Sequence, residues 1–103
     1  MSASARERRE REILEVLLAL GEGEVTTYGD VAATAGHHRQ SRLVGRILAT
    51  TDVDVPWWRV VSASGHLRAG DPALQAELLR SEDVVVADGR VRSAPTGRFS
   101  RTG

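Results

Sequence analysis

Two short apolar-striped segments meet across the turn Gly36-His37-His38-Arg39-Gln40, and that junction constrains the chain more than any other feature. Before it, Val31, Ala32 and Ala35 form the inner face of a short helix that Thr26 or Thr27 can cap and Gly36 ends. After it, Leu43, Val44, Ile47 and Leu48 recur at helical spacing over residues 40 to 50. Arg42 and Arg46, four apart, share one face of that second helix. Residues 36 to 46 also hold Arg39 and contain no acid. A tight glycine-containing turn between two short helices, the second cationic, is a helix-turn-helix pattern, although many plain helical hairpins look the same. Gly45, in mid-helix, costs about 1 kcal/mol against alanine, so it marks packing or a close backbone approach.

The flanking segments fit around this pair. Residues 4 to 20 read as a helix with Ile13, Val16, Leu17 and Leu20 inward, closed by Gly21 in "GEGE". Residues 51 to 56 form a loop. "WRVVSASGHLR" reads as two short strands around a Ser-Gly turn. "DPALQAELLRSED" reads as a helix capped by Asp71, with Pro72 first and Leu74, Leu78 and Leu79 inward. "VVVADGRVR" is a hairpin turning at Asp88-Gly89. The tail lacks periodicity and is expected to be unstructured over 93–103. The fold class expected is mainly α with small β hairpins, a winged helix-turn-helix DNA-binding domain over 1–92.

A chain of 103 residues has room for one modest core and one domain. It contains no cysteine, which removes disulfides, thiolate metal sites and a cysteine nucleophile. Adjacent His37 and His38 cannot both face one metal from a helix, so neither a metal nor a cofactor is expected. Both are read as touching phosphate or solvent. The formal net charge is zero, with acids mainly in 7–30 and 71–88, so the basic patch is local. Such a patch binds phosphate or is simply a solvated helix face. No apolar run approaches the ~20 residues that span a bilayer. The start of the chain lacks an export pattern, and a cytoplasmic protein is expected.

The chain has four aromatic residues, and two of them, Trp57 and Trp58, are neighbours. On a strand they would face opposite sides, one free to line a pocket while the other joins the core. Taken without context, burial of both is the plainer reading.

"GEVTTYGDVAATAG", "SRLVGRIL" and "VPWWRVVSASGHL" together resemble the DNA-binding domain of O6-alkylguanine-DNA alkyltransferases in order and spacing, from about residue 12 to 67. Beyond that the likeness is looser and rests on "LQAELLRSEDV". Trp57 stands where that family has its alkyl-accepting cysteine and Trp58 where it has the adjacent histidine. This is the pattern of the alkyltransferase-like proteins. The resemblance implies a non-enzymatic monomer that binds double-stranded DNA with O6-alkylguanine, flips the base out and hands the lesion to nucleotide excision repair proteins.

It further implies a DNA-binding set of Thr27, Tyr28, Arg39, Ser41, Arg42, Gly45 and Arg46. Arg42 would enter the base stack, Tyr28 would sit against the phosphate of the flipped nucleotide, and Gly45 would let the helix into the minor groove. Ser41 replaces a common alanine. The implied lesion pocket is Tyr28, Trp57, Arg59, Val60 and Arg68. Within it Trp57 faces the base, Arg59 braces the strand and Arg68 reaches the O6 side. The acid that supports the family's histidine would fall near Ala76, where this chain has no carboxylate. Two other readings remain at this point: a winged-helix regulator of undamaged DNA, and a base hydrolase using Asp30 or a nearby acid.

Overall fold

The computed structural model of the chain describes residues 4–100. Ser4 opens α1 (Ala5–Leu18), accepting the Glu7 N–H at 3.1 Å. Helix α1 buries Ile13 and Leu17 and closes at Ala19 rather than at Gly21, whose N–H goes to the Glu24 carboxylate at 2.9 Å. A strand that local periodicity does not reveal follows, β1 (Glu24–Thr27). Thr27 then caps α2 (Tyr28–Thr34), its hydroxyl accepting the Asp30 N–H at 3.1 Å. Gly36, at φ 84°, reverses the chain into α3 (Ser41–Thr50). His37 does not reach outward: its Nε2 lies 3.0 Å from Glu12 Oε1 and ties the turn back to α1. The three helices enclose Ile13, Leu17, Val31, Ala32, Val44 and Ile47, with Val55 and Val60 completing the cluster.

Trp57–Arg59 is a 3-10 turn, not a strand. After Pro56 the Trp57 N–H bonds back to the Val55 carbonyl at 2.8 Å and the Arg59 N–H to that of Pro56 at 3.1 Å. Strand alternation therefore does not separate the two indoles. The turn does, since it rotates successive side chains by about 120°. The short strand β2 (Val60–Val61) then pairs in parallel with β1, Thr26 beside Val60 and Thr27 beside Val61. The expected turn forms, with Gly65 at φ 88°, but it does not close a hairpin on β2. His66 and Leu67 continue instead to Arg90 and Gly89.

Asp71 caps α4 (Pro72–Arg80) by accepting the Leu74 N–H at 3.0 Å. Its buried residues are Gln75 and Leu79, while Leu74 is exposed and Leu78 half-buried, contrary to the leucine face expected. The reason is polar. Gln75 Nε2 donates to the carbonyls of Trp58 (3.2 Å) and Val60 (3.0 Å), a task no leucine can perform. The strands β3 (Val85–Ala87) and β4 (Arg90–Ser93) form the expected antiparallel hairpin, with Asp88 at φ 55° and Gly89 at φ 69° between them.

The expectation of an unstructured tail fails for residues 93–100. The strand β5 (Thr96–Gly97) pairs in parallel with the other edge of β1, giving a sheet ordered β2-β1-β5. Backbone pairing holds this segment, so hydrophobic periodicity is not required. Gly97 sits at φ 87° against the Val25 carbonyl, where a Cβ would collide. Arg98 clasps both Asp30 oxygens at 2.9 Å, and Phe99 packs on a second cluster built from Val25, Val61, Leu79, Val84, Val86 and Val91. Residues 101–103 lie outside those described. Helices and small sheets thus make a helix-turn-helix fold whose strands are more than hairpins.

Candidate functional site

A cavity of about 380 Å³ opens where α2, α3 and the 3-10 turn meet the loop before α4. Tyr28, the first residue of α2, forms one wall, and Gly45, Leu48 and Ala49 of α3 form another. Trp57 and the segment Arg68–Asp71 close the remaining sides. Burial pushes the Tyr28 hydroxyl above its ordinary pKa of 10.0, with the Arg68 charge opposing. Tyr28 therefore remains a neutral hydrogen-bond donor at physiological pH. Gly45 has no internal reason to be glycine. A Cβ there would meet only the Tyr28 ring, at 3.9 Å, an ordinary contact.

The two indoles meet edge to face, with ring centres 6.0 Å apart and planes at 90°. Trp57 leans on the helical core and borders the cavity. Trp58 turns to the second cluster, and its Nε1 donates to Glu82 Oε2 at 2.8 Å. Arg59 stacks over the Trp58 ring at 5.2 Å. It grips Glu82 through Nε (2.9 Å) and Nη2 (2.7 Å) while Nη1 donates to the Leu20 carbonyl at 2.8 Å. The Gly23 N–H adds a fourth donor to Glu82, at 2.8 Å. Burial favours the neutral acid, but the bonds from Arg59, Gly23 and Trp58 outweigh it and hold the carboxyl below its ordinary value. A carboxylate therefore stands beside position 58 after all. It arrives from the turn after α4 rather than from near Ala76.

The structure gathers Tyr28, Gly45, Trp57 and Arg68 around one cavity and leaves other expected residues outside it. Val60 is 0% exposed within the core, so it cannot line a pocket. Arg59 is spent on Glu82 and Leu20 and braces the turn instead. Thr27 is 3% exposed and its hydroxyl caps α2, so burial keeps it from the DNA-facing surface. Ser41 begins α3 half-buried, while Arg39, Arg42 and Arg46 are exposed. Arg39 adopts the left-handed backbone at φ 70° just before α3. Leu48, Ala49, Ala69, Gly70 and Asp71 also line the cavity and are not among the residues expected there, though Leu48 and Ala49 follow Gly45 by three and four, the spacing of one helix face.

The cavity offers a flat aromatic wall, a phenol and a guanidinium, and the chain has no thiol. Asp71 is the one acid lining it, and its Oδ1 caps α4. Asp30 lies outside it, held by Arg98. Among the described residues no group of three or more His, Cys, Asp or Glu could hold a metal ion, and no helix is long and apolar enough to cross a membrane.

Residues 8–84 match the family described as 6-O-methylguanine DNA methyltransferase, DNA binding domain. A DNA base-flipping protein of Escherichia coli K12 is 38% identical over 79 residues, covering 75% of this chain and 58% of that protein. One from Vibrio parahaemolyticus is 31% identical over 81 residues, covering 75% of this chain and 81% of that one. In three dimensions, Atl1 of S. pombe, solved in complex with damaged DNA containing O6-carboxymethylguanine, superposes with a TM-score of 0.69. It is 24% identical and covers 84% of this chain and 83% of its own, which establishes the shared fold. The chain belongs to the 6-O-methylguanine DNA methyltransferase DNA-binding family, on its alkyltransferase-like side.

Proposed function

We propose that this family member binds O6-alkylguanine in duplex DNA, receives the flipped base beside Trp57, and performs no chemistry on it. The observation that carries this reading is the cavity itself: Trp57, Tyr28 and Arg68 converge next to a helix whose arginines make no ion pair among the described residues, in a chain without cysteine. Alkyl transfer to protein needs a strong nucleophile near neutral pH, classically a thiolate, and none is available. An indole face instead provides apolar area for a base and its alkyl group. Curated relatives named DNA base-flipping proteins, and the S. pombe complex with damaged DNA, support the same assignment. The chain spans 58% of the length of the E. coli relative, so activity, substrate and partners are proposed for this chain on its own residues.

In this reading α3 enters the minor groove. Gly45, which nothing inside the protein requires, removes bulk where the groove floor approaches. Arg42 fills the void left by the departing base, since a planar cation can stack and hydrogen-bond there. Tyr28 donates to the phosphate of the flipped nucleotide, and Arg68 faces the O6 edge. Arg39, Ser41 and Arg46 hold backbone phosphates. A monomer acting this way in the cytoplasm marks the lesion for nucleotide excision repair proteins, because it cannot remove the alkyl group itself.

The test is competition between matched duplexes with and without O6-methylguanine across a salt series. Tighter, salt-sensitive binding of the damaged duplex is expected. Equal affinity would sink the lesion reading, sequence-selective binding of undamaged DNA would favour a regulator, and released free base would mark a hydrolase.

A further inference from the structure

The first turns of α1 look self-neutralising in sequence, because "RERRERE" alternates its charges. The helix sorts them. Arg6 and Arg9, three apart, lie on one side of α1 and share a cleft of about 330 Å³ with Gln40, Arg42, Leu43 and Arg46 of the α3 end. Four guanidiniums line this cleft and no acid does. Arg9 Nε is buried without any hydrogen-bond acceptor, and Arg42 and Arg46 make no ion pair among the described residues. Arg6 has one exposed partner, Glu10 at 3.3 Å, a contact of a kind that yields readily.

Nothing in the fold accounts for this arrangement. Cations at a helix N-terminus oppose the helix dipole, whose positive end is already there. Like charges brought together across two helices repel each other. A buried guanidinium nitrogen without an acceptor is an unmet demand for an oxyanion. Each cost turns into a gain if a phosphodiester occupies the cleft. Arginine forks match phosphate oxygens, and the dipole then adds to the attraction.

We infer that Arg6 and Arg9 of α1, with Arg46 of α3, form a clamp for the DNA backbone that flanks Arg42 of the recognition helix. The inference rests on the DNA-binding reading above and extends it to an element that carries no such role there. The duplex is the occupant because the cleft shares Arg42 and Arg46 with α3, so a strand docked on that helix continues into it. The clamp holds phosphates and carries no base information, so it contributes equally to damaged and undamaged duplexes.

The experiment compares the full chain with its Arg6→Gln/Arg9→Gln variant on undamaged and O6-methylguanine duplexes over a salt series. Affinity for both should fall by the same factor, on the order of tenfold, with their ratio unchanged. The slope of log affinity against log salt should shrink by about 1.8, the share of two phosphates. Arg6→Lys/Arg9→Lys should retain most of that slope, and circular dichroism should show both variants folded. An unchanged slope in the Gln variant would overturn the clamp, and so would a selective loss on the damaged duplex. Equal binding of both duplexes by the unaltered chain would defeat the lesion reading alone, since the clamp is read on undamaged DNA.

Discussion

Trp57 and Trp58 are chemically identical neighbours with opposite surroundings. Around Trp58 the indole N–H and the ion pair beside it are matched: its N–H goes to Glu82, Glu82 accepts from Arg59 and Gly23, and Arg59 also donates to Leu20. Those contacts tie the end of α1, the start of β1, the 3-10 turn and the segment after α4 into one node. Around Trp57 the indole N–H has no hydrogen bond among the described residues, and the ring borders open volume. A satisfied network fixes one shape, whereas an unsatisfied concavity is where a ligand fits. The Trp58 node gives the Trp57 wall its rigidity.

The largest effect should come from breaking the node. Glu82→Ala leaves the Arg59 guanidinium, the Trp58 N–H and the Gly23 N–H without their acceptor. It should cost about 3–5 kcal/mol of stability, measured by urea unfolding. A loss under about 1 kcal/mol would make the node an ordinary surface contact and erase the contrast. Acid should expose the same node. The Glu82 pKa is lowered by folding, so its stabilisation is complete above the unfolded value, near 4.5, and is lost as pH falls through the folded value. Thermal melts from about pH 6 to about pH 3 should therefore fall more steeply for the native chain than for Glu82→Gln.

On the cavity side the effects should appear in binding. Arg42→Ala should weaken binding of an O6-methylguanine duplex by about 1–3 kcal/mol, and Arg39→Ala by less. Equal losses would reduce Arg42 to one phosphate ligand among several. The smallest effect, and the one with divided sign, belongs to Gly45→Ala. Its Cβ has room, so the fold should gain up to about 1 kcal/mol. DNA affinity should fall at the same time. Stability and affinity rising together would remove α3 from the groove.

What was legible in the sequence follows from how far each interaction reaches along the chain. Caps and turns are local, so the Thr26-Thr27 pair, Asp71 with Pro72, and Asp88-Gly89 mark α2, α4 and the β3–β4 hairpin in the sequence, and the structure selects Thr27 as the α2 cap. The parallel strands are two to four residues long and pair across long separations, Val25 with Gly97 and Thr27 with Val61. No window of periodicity contains such a pairing, so neither β1 nor β5 is visible as a strand in the local pattern. Of the cavity, Tyr28, Trp57 and Arg68 were reached through motif order. Asp71 and the node partner Glu82 were missed as neighbours of the tryptophans because 14 and 24 residues separate them from Trp57 and Trp58. The two indoles do enter different clusters, but a 3-10 turn after Pro56 separates them and not strand alternation.

The central claim is that Trp57, and not Trp58, meets the lesion. Two single-tryptophan chains, Trp58→Phe and Trp57→Phe, should be titrated with O6-methylguanine and undamaged duplexes while tryptophan emission is recorded. The chain retaining Trp57 should change its emission on the damaged duplex well beyond the undamaged one, while the chain retaining Trp58 should respond little to either. A lesion-dependent response from the chain that retains only Trp58, with Trp57 silent, would contradict the claim.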